Sequence, residues 1–266
     1  MYAEIKTPSR VHRHHHFDTI SELLSYINNT PVSDIFSSRS QASRKRDDRN
    51  WYGTSNFEEA LTLLQQGWCP EAQKLAEKVP VKTTPSQFNS QRPTHSVVGY
   101  QASVPRYLQG IPTNMITSKP TPKKQKIIVL YKSISYNAQV STQEIEREGV
   151  KALQIIQALE GRGYRVKLNT LWCTNRGSES AAFSVTVKKP QDRLSLIKMA
   201  FPLIHPSMLR RIGFAWLERN HKITDYGFNY AYGVSDSDKF IPQKGEIVLP
   251  SFIPNVGEFV NSLKLI

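Results

Sequence analysis

Three features of the sequence predict an α/β fold built on an open, mostly parallel sheet with flanking helices. Ile127-Ile128-Val129-Leu130-Tyr131 is a continuous apolar run of strand length, as a strand covered on both faces requires. Ser141 and Glu144 form a capping box, and Val140 and Ile145 stand where a hydrophobic staple would lie, so a helix begins here. Gly161 or Gly163 ends that helix before a second strand, Tyr164 to Leu168. Strand, helix and strand over this length make a right-handed parallel crossover.

Within the helix, Ile145, Ala152, Ile156 and Leu159 share the inward face, and Ile127 and Val129 are expected to be buried with them. Beyond the crossover, Ala181 to Lys188 alternates as a third strand. Helices are expected at about 191 to 203 and 206 to 219, the second with Pro206 at its start. A strand at Glu246 to Leu249 and a helix from Asn255 to Leu263 complete a domain spanning 126 to 266.

The region ahead of that domain divides into 1 to 50 and 51 to 125 and is read as helical and proline-rich. Phe17, Ile20, Leu23, Leu24 and Ile27 form one stripe of a short amphipathic helix. His12-Arg13-His14-His15-His16 lacks the carboxylate or cysteine companions of a metal site and reads as a solvated terminal tract. The stretch 37 to 50 reads as an exposed linker in which Arg44-Lys45-Arg46 is followed by Asp47-Asp48. Ser55-Asn56-Phe57-Glu58 reads as a capping box for a helix over 56 to 66, closed by Gly67 and bracketed by Trp51 and Trp68. From 79 to 125 seven prolines interrupt any periodicity beyond Val97-Val98-Gly99-Tyr100, which predicts an irregular, extended arm with room for one short strand or hairpin, lying on the core or reaching a partner.

At 266 residues the chain can bury a core without disulfide or metal staples. Cys69 and Cys173, each beside a tryptophan, are expected to be reduced and buried. No run of eighteen apolar residues occurs and the first residues lack a secretory pattern, so the cytoplasm is the expected compartment. The net charge of +13 favours anionic partners. Residues 1 to 50, 51 to 125 and 126 to 266 contribute +2, +4 and +7, which points to a folded basic face rather than a basic tail.

The turn from Lys132 to Ser141 contains no glycine, which excludes a phosphate-cradling loop, and the common hydrolase and zinc motifs are missing. Asp192, Asp225, Asp236 and Asp238 are not spaced as an acid/base pair. No cofactor, metal or catalytic residue is expected. Lys132, Ser133 and Ser135 occupy the carboxyl end of the first core strand, where open α/β sheets hold ligands. Ser133-Ile134-Ser135 resembles the metal-site turn of von Willebrand A-like domains, D-x-S-x-S, with Tyr131 in place of the aspartate. The resemblance implies a degenerate metal site, since two hydroxyls beside a lysine hold a hard cation poorly.

Three blocks carry a second resemblance: Trp51-Tyr52-Gly53-Thr54-Ser55-Asn56-Phe57-Glu58-Glu59-Ala60-Leu61 with Gly67-Trp68, Val104 to Pro112 with Met115, and His205 to Arg211. In order and spacing they are similar to an uncharacterised family encoded mainly by bacteriophages. That likeness implies a context, the host cytoplasm or the virion, and no activity. The expected function is contact with a host or phage protein. The alternative is nucleic-acid binding through a basic face, with Arg44, Lys45, Arg46, Lys188, Lys189, His205, Arg210 and Arg211 as candidates for anion contact. No membrane partner is expected, and the sequence does not set an oligomeric state.

Overall fold

The computed structural model describes residues 1–7, 10–69, 74, 89–122, 126–221 and 232–263. The chain divides into two compact units, Met1–Val81 with Ile127–Ile266, and Lys82–Lys126, whereas sequence divided it at 50 and 125. The larger unit opens with β1 (Tyr2–Thr7), β2 (Arg10–Phe17), α1 (Ile20–Asn29), α2 (Ser37–Lys45), α3 (Arg49–Tyr52) and α4 (Phe57–Gln66). The smaller unit holds β3 (Asn89–Ser96), β4 (Gln101–Ala102), α5 (Val104–Leu108) and β5 (Met115–Pro122), and its sheet order is β3-β5-β4. The larger unit resumes with β6 (Ile127–Ser133), α6 (Thr142–Gly161), β7 (Arg165–Arg176), β8 (Glu179–Lys188) and α7 (Leu196–Ile204). A π-helical turn, Met208–Gly213, leads into α8 (Phe214–Arg219), followed by β9 (Val234–Ser235), β10 (Glu246–Leu249) and α9 (Val256–Ser262).

The main sheet has the order β1-β2-β8-β7-β6-β10, with β9 also paired to β7. β6 pairs in parallel with β7 and β10, and β2 with β8. The β1/β2, β7/β8 and β7/β9 pairs are antiparallel. The expected α/β class, an open sheet flanked by helices, is what the chain forms, and the crossover β6–α6–β7 has its two strands parallel. Its helix begins with the capping box: the Ser141 hydroxyl accepts from Glu144 N–H and the Glu144 carboxylate accepts from Ser141 N–H.

Ile128, Leu130, Val166 and Leu168 form one core with Ala152, Leu153, Ile156 and Leu159 of α6 and with α7. Gly149 makes this packing close, because a Cβ there would stand 2.5 Å from the Ile204 side chain and 2.9 Å from the Leu203 carbonyl. A second core joins Phe17, Trp172, Phe183 and Val185 to α1, α4 and the π-turn. On the opposite face Tyr131, Leu171, Cys173 and Ala182 pack with Phe240.

Several expectations change. In β6 the parity is reversed: Ile128 and Leu130 face α6, whereas Ile127, at the strand's start, is 61% exposed. The histidine tract is β2 rather than a solvated terminus. His12 is held by Ser180 (2.6 Å), and His14 and His16 share the Ser184 hydroxyl at 2.7 and 2.8 Å, so β8 supplies a polar partner for each imidazole on that face. His14 is pushed down to about 4, chiefly by burial. The stretch 37 to 50 is helical over α2 and part of α3, not a linker. The N-cap of α4 is Asn56, which accepts from Glu59 N–H, while Ser55 donates its N–H and hydroxyl to Glu59. Cys173 is buried, but Cys69 is exposed. The expected arm is a three-stranded sheet where it is described; Pro80 and Pro85, like Asp225, lie outside the described residues.

Because Ile156 is fully buried and Ile127 is not, Ile156→Ala should destabilise by about 2–5 kcal/mol and Ile127→Ala by about 0.5 kcal/mol or less in denaturant unfolding. Equal effects would show the helix packing on the other face of the strand.

Candidate functional site

Of the residues expected to meet an anion, the structure turns four inward. Lys188 is 1% exposed; its ammonium donates to Val166 O and pairs with Glu160 at 2.6 Å. His205 lies between Phe201, stacked at 4.8 Å, and Trp68, edge-on at 4.6 Å, and its Nδ1 accepts from Ser207 N–H. Arg210 and Arg211 are each 3% exposed, on the π-turn. Arg211 donates to Thr54 Oγ1 (2.7 Å), Ser43 O (2.9 Å), Arg46 O (2.9 Å) and Thr54 O (3.0 Å), and lies over the Tyr52 ring. Arg210 donates to Trp51 O (2.6 Å) and Val140 O (2.8 Å). A buried guanidinium survives only when its donors are met, and here backbone carbonyls of 43 to 54 meet them.

The same hub settles the neighbouring hydroxyls. Ser207 donates to Tyr52 O, and Thr54 already accepts from Arg211, so the Thr54 hydroxyl donates to Ser207 Oγ. Gly53 makes the turn with φ of +81°, where a Cβ would also strike the His205 ring at 2.7 Å. Lys45, Arg46 and Lys189 stay exposed, and Arg44 lies over Phe57 at 4.7 Å.

The ligand-edge turn is also committed inward. Lys132 donates to Pro250 O and Ser251 O, both at 3.0 Å, and burial pushes its amine down to about 7. The Ser133 hydroxyl meets Ser251 Oγ at 3.0 Å, and Ser135 Oγ accepts from Cys173 N–H. These residues fasten the loop after β10 to the carboxyl end of β6. Among the described residues no group of three His, Cys, Asp or Glu is placed to hold a metal.

What the hub does build is a cleft of about 550 Å³ at the carboxyl ends of β6 and β7. One wall is Trp51, half-buried, with the Arg210 guanidinium 4.8 Å from its ring and its indole N–H 3.4 Å from Ala138 O. The other is Tyr232, stacked on Phe214 at 3.8 Å and capped by Arg39 at 5.5 Å. Trp172 forms the floor and donates to Ser235 Oγ, while Thr174 donates to Tyr232 O, so β7 holds the 232–235 segment across from Trp51. Arg39 on α2 and Arg46 at its C-cap stand at the rim. The described lining holds three arginines and no Asp, Glu, His or Cys.

Sequence reasoning singled out Arg46 and Arg210 but missed Arg39, Trp172, Phe214 and Tyr232, which come from distant elements. No local sequence pattern joins them.

The fold and cleft together define an α/β protein with an arginine-rimmed aromatic cleft and no acid/base pair in its described lining. The chain belongs to the family described as a domain of unknown function, DUF7192, whose profile matches residues 4–261. No curated protein and no solved structure gives a significant match.

Burial holds His205 down at about 4, below its ordinary 6.5. The unfolded chain therefore takes up the proton first, and this contribution is full above pH 6.5 and lost as pH falls toward 4. Relative to His205→Phe, the wild type should lose about 2 kcal/mol of unfolding free energy between pH 7 and 5. Parallel stability curves would show that His205 is charged in the folded protein.

Proposed function

We propose that the protein binds single-stranded nucleic acid, an unpaired base entering the cleft against Trp51 while Arg39 and Arg46 meet the adjoining phosphates. The observation that carries this reading is the lining itself, rings backed by guanidinium groups, with the Asp48 carboxylate that meets Arg46 at 3.3 Å standing outside it. Stacking on exposed aromatic rings tolerates any base, and rim arginines supply the charge a phosphate backbone needs. The site lies beyond the carboxyl ends of parallel strands, where open α/β folds of the von Willebrand A-like and dinucleotide-binding kinds hold ligands. Arginine is a poor general acid or base at neutral pH, which favours a binding role over catalysis.

A protein partner, the first reading of the sequence, rested on the proline-rich segment and finds less support in this cleft, whose charge suits a polyanion. In the bacteriophage setting that the sequence blocks imply, the ligand would be phage or host nucleic acid, met in the host cytoplasm or carried in the particle.

Titration with oligothymidine at low ionic strength should quench tryptophan fluorescence saturably, and added salt should weaken binding. Trp51→Ala should reduce affinity about 5- to 150-fold, the worth of one stacked base. Arg46→Gln, whose side chain is 66% exposed and therefore removable without unfolding, should reduce both affinity and salt dependence. A wild-type protein that shows no quench, or an Arg46→Gln protein that binds unchanged, would overturn the reading.

A further inference from the structure

The +13 charge is concentrated in a way that the one-dimensional division of the chain concealed. The unit Lys82–Lys126 contains seven Lys and Arg and no Asp or Glu; the rest of the chain holds the other 28 basic residues and all 22 acidic ones, a net of +6. The earlier boundary at 51 mixed this unit with Glu58, Glu59, Glu71 and Glu77 and so diluted it.

Within the unit, β3 and β5 pair antiparallel over eight positions, Asn89 with Pro122 through Ser96 with Met115. That ribbon is about 27 Å long. In its register Arg92 is paired with Lys119. At the far end, Val97, Val98, Tyr100, Val104, Tyr107 and Leu108 are each at least 62% exposed. The tip that carries them is tightly built: Tyr100 N–H donates to Ile116 O, and a Cβ on Gly99 would stand 2.2 Å from that oxygen. Arg106 donates to Thr113 O and Oγ1 and so braces the loop after α5.

We propose that this ribbon is a second nucleic-acid contact, specific for a duplex, in which Arg92 and Lys119 meet backbone phosphate and the apolar tip enters a groove. The absence of acid over 45 residues and the paired cations fit a polyanion. A two-stranded ribbon has the width that the major groove admits. Aliphatic side chains outnumber rings at the tip, which suits thymine methyls or a wedge at a base step better than a stacking platform for single strands. Pro93, Pro120 and Pro122 remove N–H donors from the ribbon, which disfavours capture of a protein strand along it. The proposal shares with the cleft reading only that the partner is nucleic acid; it needs nothing of the cleft.

The test uses the full chain and a short labelled DNA duplex, followed by fluorescence anisotropy between about 50 and 200 mM salt. Arg92→Gln with Lys119→Gln should lower the slope of log affinity against log salt by about 2. Val98→Ser with Leu108→Ser should weaken duplex binding about tenfold and leave the slope unchanged, since it removes apolar contact alone. Both variants should quench with oligothymidine as the wild type does. Unchanged duplex affinity and slope in both variants, with the oligothymidine response intact, would overturn the ribbon contact and leave the cleft standing. Loss of oligothymidine binding by the wild type, with duplex binding sensitive to both pairs, would overturn the cleft and leave the ribbon. Binding to vesicles of equal parts phosphatidylserine and phosphatidylcholine, with none to the duplex, would make the surface a membrane contact and refute the proposal.

Discussion

The buried Arg211 guanidinium is the interaction on which the wall of the cleft depends. Its four hydrogen bonds reach the end of α2, the strand-like link to α3 and the turn before α4. No other single side chain gathers so much of the 43 to 54 backbone, and helices as short and polar as α2 and α3 have little propensity of their own to hold position. Arg210, next along the π-turn, adds Trp51 O and Val140 O. The two arginines thereby orient Trp51 toward Trp172 and Tyr232. π-turns recur at functional sites, and here the turn delivers two consecutive buried cations to one wall of a cleft.

The division of labour among cations follows from this. Arginines that were candidates for ligand contact because they stand together in sequence serve as the frame, and the arginines at the rim of the cleft, Arg39 and Arg46, come from a stretch that reads as a linker. Desolvating a guanidinium is costly, so its position is dictated by where carbonyls are available to receive it. Each helix end and each turn between 43 and 54 leaves such carbonyls, and the hub consumes them.

How much of this was legible depends on whether the signal was local. The β6–α6–β7 crossover could be read because an apolar run, a capping box and two glycines stand within forty residues of one another. The strand's facing residues could not, since a continuous apolar run has no alternation to set its parity. β2 was hidden for a different reason: its histidines look solvent-seeking until Ser180 and Ser184, more than 160 residues away, are placed opposite them. The cleft escaped for the same reason, drawing on α2, α3, β7, α8 and the segment before β9. A basic ribbon was within reach of the sequence, but only with the boundary near 82, and no composition change marks that point more sharply than its neighbours.

The parallel pairing of β2 with β8 also imposes an order on how the chain is made. His14 faces Ala182 and Phe17 faces Val185 in that ladder, so β2 waits for a partner made about 170 residues later. At ordinary elongation rates the delay is roughly ten to thirty seconds. During that interval β2 and β1 can satisfy only each other, and a two-stranded hairpin is marginal alone. Over that interval the nascent chain carries an incomplete sheet, whose closure needs β8. Long-range pairing of this kind slows closure of a sheet, and an unpaired strand edge is a template for edge-to-edge association.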